Sequence, residues 1–289
     1  MITPRKLKGV PETMLIPLWA KAAESRMTAP IIRDDAALAI VSEIDYDFSR
    51  FEKSWPTQVG VAIRTLILDE ATRDYLGRHA EAVVINLGAG LDTRLERLGD
   101  GAPERWYDLD LPEAIELRRF FFPENGRRRF IAKSILDLSW LDEVEAEGRP
   151  VLLIAEGLLM YFSEAELRPL FAGLVERFPG AEMLVELLAP FLVRGTKYHD
   201  SVNEIESGVK FKWGPRNGRT VESWGQGIEY LCEWNYFDFH QKRWKWLGRL
   251  GRLPVIGPML SNRIARIRFP ARPAALAPTA GANGATRPS

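Results

Sequence analysis

Cysteine is almost absent from this chain. One residue, Cys232, stands among 289. An internal disulfide framework is therefore excluded, and a reducing compartment is the default expectation. Net charge is lacking too, because 39 basic residues balance 39 acidic ones. Nothing in that balance marks nucleic acid or an anionic membrane as the main partner. No apolar run reaches the ~18–20 residues that span a bilayer. The N-terminus MITPRKLKGVPETM lacks the long apolar core of a secretory signal. These absences lead us to expect a soluble, cytoplasmic protein. Only three histidines occur, His79, His199 and His240. They lie far apart, and Cys232 has no cysteine partner, so no metal site is expected. No internal repeat is visible.

What is present is an alternating pattern. Met14–Ser25, Asp34–Ile44 and Val59–Tyr75 read as helices, so residues 1–80 form a mostly helical N-terminal segment. From Ala82 short apolar runs alternate with helical stretches. Val83–Leu87, Arg105–Leu109, Arg129–Lys133, Val151–Glu156 and Met183–Leu188 read as strands. Thr93–Leu98, Pro112–Phe121 and Ser163–Phe178 read as helices, the last opened by a capping box, Ser163 to Glu166. Strands alternating with helices imply an α/β fold with a parallel, doubly wound sheet. Residues 81–269 would form its core, with Tyr230–Phe237 and Ile264–Phe269 as closing strands. Phe191–Val209 reads as a polar helix and Phe211–Gly227 as a loop, a cap of about residues 190–227. The Ala, Pro, Gly and Ser of 270–289 predict disorder.

The most informative stretch is Val83–Arg94, VVINLGAGLDTR. A buried strand breaks at once into Gly88-Ala89-Gly90, where the backbone turns sharply and approaches a ligand closely. In open α/β sheets ligands bind at the carboxyl ends of the strands. Asp110 ends the second strand about twenty residues on, placed to accept from two ribose hydroxyls. An adenosine-containing cofactor follows. The third glycine of a dinucleotide loop is missing, and Asp92 brings a carboxylate instead. That disfavours a pyrophosphate and suits a cationic ligand such as S-adenosylmethionine. A nicotinamide-dependent oxidoreductase is the competing enzyme reading, and a non-catalytic cofactor-binding protein the third.

Thr13–Ser25, Ile85–Arg94 (INLGAGLDTR), Trp106–Arg118 (WYDLDLPEAIELR), Ile154–Phe162 (IAEGLLMYF) and Phe211–Phe237 carry a resemblance that runs in order through most of residues 13–269. Together they resemble the leucine carboxyl methyltransferase family of class I methyltransferases, and within it the bacterial polyketide O-methyltransferases. The resemblance implies a Rossmann-like fold: a mostly parallel seven-stranded sheet flanked by helices, with an N-terminal helical extension and a cap after the fifth strand. It implies S-adenosylmethionine as cofactor and O-methylation of a small, aromatic or polyketide-like molecule. Gly88 and Gly90 would line the methionine end, and Asp110 would hold the ribose. Asp137 and Leu138 would face the adenine. Glu156 would sit by the amino-acid part, and Arg64, with Lys21 as a second choice, would pair with the cofactor carboxylate.

Methyl transfer from a sulfonium is an in-line displacement, so the protein mainly orients reactants and excludes water. A carboxylate acceptor needs no base, whereas a hydroxyl benefits from one. His199, beyond the last regular strand, is the candidate base, and Tyr161, just past the fourth strand, is a candidate acceptor contact. Nine tryptophans are present, and Trp213, Trp224, Trp234, Trp244 and Trp246 come late. They read either as core packing or as the aromatic lining of an acceptor pocket.

Overall fold

A computed structural model describes residues 11–194, 210–251, 253–254 and 257–271. His199, most of the expected 191–209 helix and the tail from 272 lie outside the described residues.

Three helices precede the first strand: α1 (Leu15–Ser25), α2 (Asp35–Glu43) and α3 (Trp55–Arg78). The Asp34 side chain caps α2 by accepting from the Ala37 backbone N–H at 2.8 Å. α3 is longer than the apolar run alone suggests, because Pro56 sits in its first turn, where no intrahelical N–H is lost. The sheet strands are β1 (Val83–Leu87), β2 (Arg105–Asp110), β3 (Arg128–Ala132), β4 (Val151–Ala155), β5 (Glu182–Leu187), β6 (Glu229–Asn235) and β7 (Arg263–Arg268). Between them run α4 (Arg94–Leu98), α5 (Pro112–Phe121) and α6 (Glu164–Arg177), followed by the short α7 (Pro190–Arg194). The capping box opening α6 is present in both directions.

The sheet order is β3-β2-β1-β4-β5-β7-β6. β1 to β5 run parallel, while β7 is antiparallel to β5 and β6. The sheet is thus mixed at one edge, and the order reverses between β1 and β4, where an open sheet leaves a crevice. β1, β4 and β5 are buried throughout, which explains their unbroken apolar reading. Alternate residues feed two cores. Val83, Ile85 and Leu87 pack with Trp140, Leu170 and Phe171 on one face. Val84, Leu152 and Ile154 pack with Ile63, Ile67 and Leu68 of α3 on the other. Each such side chain contributes about 1.5–3 kcal/mol when removed from water.

Register then does the positioning. Leu87 lies beside Leu109 and Ala155, and Ala155 beside Val185. The next residues, Gly88, Asp110, Glu156 and Glu186, therefore share one edge of the sheet.

Candidate functional site

The glycine turn is held rigidly. Gly88 and Gly90 have φ of 66° and 45°, a region that favours residues without a Cβ. A Cβ on Gly88 would lie 2.7 Å from Leu158 Cδ1, and one on Gly90 3.0 Å from Met14 Cβ. The Gly88 and Ala89 N–H groups both donate to the Leu109 carbonyl, at 2.8 and 3.0 Å. Arg118, buried under the loop, donates to the Gly90 and Asp92 carbonyls at 3.0 and 2.9 Å. Asp110 reaches back across the sheet edge and accepts from the Gly90 N–H at 2.6 Å and the Leu111 N–H at 2.7 Å. Burial pushes its carboxyl above the usual value, against those two N–H groups.

Beside the loop lies a buried ion network. Lys21 meets Asp92 at 3.2 Å. Arg94 meets Asp69, Asp92 and Glu156 at 2.9, 3.1 and 2.6 Å. Arg97 meets Asp34 and Asp69, both at 2.7 Å. Arg64 bridges Glu156 at 2.7 Å and Glu186 at 2.9 Å. Burial alone would raise the Glu156 carboxyl, but the Arg64 and Arg94 guanidiniums outweigh it and hold the group down at about 2. Burial likewise opposes ionisation of Asp92, and Arg94, Lys21 and Arg97 overcome it, leaving the carboxyl well below its usual range. Glu186 also accepts from the Gly157 N–H at 2.7 Å and from the Tyr236 hydroxyl at 2.9 Å.

A single cavity of about 480 Å³ runs along this edge, within the usual range for a cofactor or ligand site. Of the expected site residues, Lys21, Arg64, Gly88, Gly90, Asp92, Asp110, Glu156 and Tyr161 all line it. Its lining also includes the aromatic side chains Phe211, Phe237, Trp244 and Trp246. The tryptophans thus divide. Trp213 and Trp224 belong to one core, Trp244 belongs to the other and also lines the cavity, and the exposed Trp246 lines it too. Tyr161 holds its hydroxyl 3.4 Å from Thr13 Oγ1, and burial pushes that hydroxyl's pKa up.

Three expectations need correction. Asp137 and Leu138 are exposed and do not line the cavity. Asp137 instead caps the short 3-10 turn Leu138–Glu143, accepting from the Ser139 N–H at 3.1 Å. A carboxylate after a strand serves a turn as readily as a ligand, and local spacing does not distinguish the two. Asp92 was expected to offer a free charge to a cation, yet Lys21, Arg94 and Arg97 already neutralise it. Lys21 lines the cavity with its ammonium paired to Asp92.

Sequence reasoning missed Glu186, Tyr236 and Asn262, which also line the cavity. Glu186 carries the same signal as Glu156, an acid interrupting the apolar strand MLVEL. Tyr236 and Asn262 carry none, since they arrive through the pairing of β6 with β7. One further feature bears on what the cavity holds. Arg64 is buried, and its Nε–H has no hydrogen-bond partner. Such an orphaned donor is costly. Its guanidinium as a whole lines the cavity, where a ligand carboxylate would be drawn to it.

Comparison with known proteins places this geometry. A family model described as leucine carboxyl methyltransferase matches residues 14–175. The tetracenomycin polyketide synthesis O-methyltransferase of Streptomyces glaucescens is 34% identical over 233 residues, covering 81% of this chain and 85% of that protein. An S-adenosyl-L-methionine-dependent methyltransferase of Gibberella zeae is 30% identical over 245 residues, covering 78% and 81%. Among solved structures, a DUF574-family protein from Streptomyces avermitilis superposes with a TM-score of 0.58 at 14% identity, over 89% of this chain and 97% of that one. That last likeness concerns the fold alone.

Proposed function

Because the chain belongs to the leucine carboxyl methyltransferase family, we propose that it transfers the methyl group of S-adenosylmethionine to an oxygen of a small, apolar, aromatic or polyketide-like acceptor. Membership makes it an S-adenosylmethionine-dependent methyltransferase. The acceptor class is our reading, and it rests on one observation: the cavity lined by the glycine loop is also lined by Phe211, Phe237, Trp244 and Trp246.

In this reading each residue has a task. Gly88 and Gly90 let the backbone lie against the cofactor. Asp110, at the carboxyl end of β2, accepts from the ribose hydroxyls through oxygens already aligned by Gly90 and Leu111. Arg64 lines the cavity and its guanidinium attracts the cofactor carboxylate. Glu156 holds that guanidinium in place. Once bound, the cofactor supplies an electrophilic methyl on a sulfonium. Tyr161 and the aromatic wall orient the acceptor and exclude water, which is most of the work in a displacement. A carboxylate acceptor needs no proton removed. A hydroxyl acceptor would need a base, and His199 remains a candidate for it.

Incubation with methyl-labelled S-adenosylmethionine and a panel of aromatic acids and phenols tests the acceptor class. Labelled ester or ether is expected, and the product tells carboxylate from hydroxyl. Calorimetric titration with S-adenosylhomocysteine and with NAD tests the cofactor end. Binding of NAD without S-adenosylhomocysteine would overturn the assignment in favour of an oxidoreductase.

A further inference from the structure

The chain after β6 turns in a strained way before it reaches Trp246. Among the described residues, two non-glycine residues with positive φ bracket the 3-10 turn Gln241–Trp244: His240 at 44° and Lys245 at 52°. Such backbone persists only where its surroundings over-determine it. Here they do. Arg243 forks onto the Glu24 carboxylate of α1, with Nη1 donating to Oε1 at 2.8 Å and Nη2 to Oε2 at 2.6 Å. Glu24 is fully buried, and it also accepts from the Ile31 N–H at 2.7 Å and from Gln58 Nε2 of α3 at 2.9 Å. Trp244 packs edge-on against Phe237, ring centres 4.8 Å apart, and donates to the Tyr236 carbonyl at 3.2 Å. The Lys245 ammonium lies over the Trp55 ring, 4.4 Å from its centre. The next residue is Trp246. It lines the cavity while 62% exposed, whereas Trp244, two residues earlier, is buried in a core.

An exposed indole on a cavity wall offers a flat apolar face to another ring. It has little packing of its own to fix it, so the chain beside it sets where it stands. We propose that Trp246 is the stacking platform for a planar aromatic acceptor, and that Arg243, through its fork on Glu24, is the residue that positions this platform. This role rests on the acceptor reading given above. Glu24 suits the task because of the helix that carries it. Three residues earlier α1 holds Lys21 against Asp92, beside the glycine loop. One largely buried helix of 11 residues thus braces the glycine loop and the Trp246 segment against each other. The guanidinium fork fixes orientation as well as distance, which a single ammonium contact does not. Release of the fork would let the Trp246 segment shift while Gly88, Asp110 and Arg64, held by their own partners, stay in place. Acceptor affinity and cofactor affinity should therefore separate.

Fluorescence titration of the full chain with anilinonaphthalene sulfonate, an aromatic probe that brightens in apolar sites, tests this. Saturating S-adenosylhomocysteine is present throughout, so the probe cannot occupy the cofactor's place. Trp246→Ala should weaken the probe about tenfold, the scale of one lost aromatic stack. Arg243→Gln should weaken it severalfold and leave S-adenosylhomocysteine affinity within about twofold of wild type, read by calorimetry. The double variant should bind the probe no more weakly than Trp246→Ala alone, because Arg243 acts through that ring. A merely loosened fold would give the opposite sign, since newly exposed apolar surface takes up more of the probe. If Arg243→Gln does not fold, judged by its thermal melt, Arg243→Lys is read the same way. No probe binding by the wild type, unchanged or increased binding in either single variant, or losses that add in the double variant would overturn the platform and leave the cofactor reading intact. Wild-type protein that does not bind S-adenosylhomocysteine would overturn both.

Discussion

Replacing Glu156 by Gln tests the ion network that shapes the site. The carboxylate is buried between Arg64 at 2.7 Å and Arg94 at 2.6 Å. Its pKa of about 2 lies below the ordinary 4.5, because the two guanidiniums overcome the effect of burial. A group depressed from 4.5 to about 2 contributes on the order of 3 kcal/mol to folding at neutral pH. The contribution is complete above the unfolded value of 4.5 and is lost as pH falls through about 2. A structural estimate agrees. Removing one partner of a buried pair costs about 3–5 kcal/mol. Arg64 keeps Glu186 and Arg94 keeps Asp69 and Asp92, which points to the lower end of that range. Urea denaturation of both proteins from pH 7 to pH 2 measures it. The variant should be less stable by about 3 kcal/mol at pH 7, and the gap should close between pH 4.5 and 2 as the wild-type carboxyl takes up its proton. A gap below about 1 kcal/mol at pH 7, or one that persists unchanged at pH 2, would refute the reasoning.

Other consequences follow from individual residues. Gly88→Ala must adopt a positive φ and push Leu158 aside. It should cost about 1–3 kcal/mol in denaturation midpoint and also weaken S-adenosylhomocysteine binding, since Leu158 lines the same cavity. Asp110→Ala should weaken that ligand by about 1–3 kcal/mol in a calorimetric titration, the loss for a charged hydrogen-bond acceptor. Unchanged affinity would remove Asp110 from the site. Asp137→Ala removes an exposed turn cap. It should lower stability only slightly in urea denaturation and leave cofactor affinity untouched, and a large loss of affinity would restore Asp137 to the site.

The sequence alone specified the elements that answer to local chemistry. An apolar run such as VVINL has to be buried on both faces, two glycines after it permit positive φ, and Ser163 with Glu166 closes a capping box within one turn. Each of these is decided within a few residues of chain, so pattern and spacing suffice. The same holds for Gly88, Gly90, Asp110 and Glu156, which strand ends place on one edge once the strands are parallel. Asp137 caps a turn and does not line the cavity, and a turn cap and a ligand contact look alike locally. Charge partnership was not legible at all. Arg64 meets Glu186 across 122 residues of chain, and Arg94 meets Glu156 across 62. Only the assembled sheet decides that Asp92 is already neutralised, that Tyr236 reaches Glu186 from the antiparallel edge, and that Arg64 is shared by Glu156 and Glu186. The strength of a buried ion pair depends on distance and desolvation, and both come into being when distant strands and helices pack together.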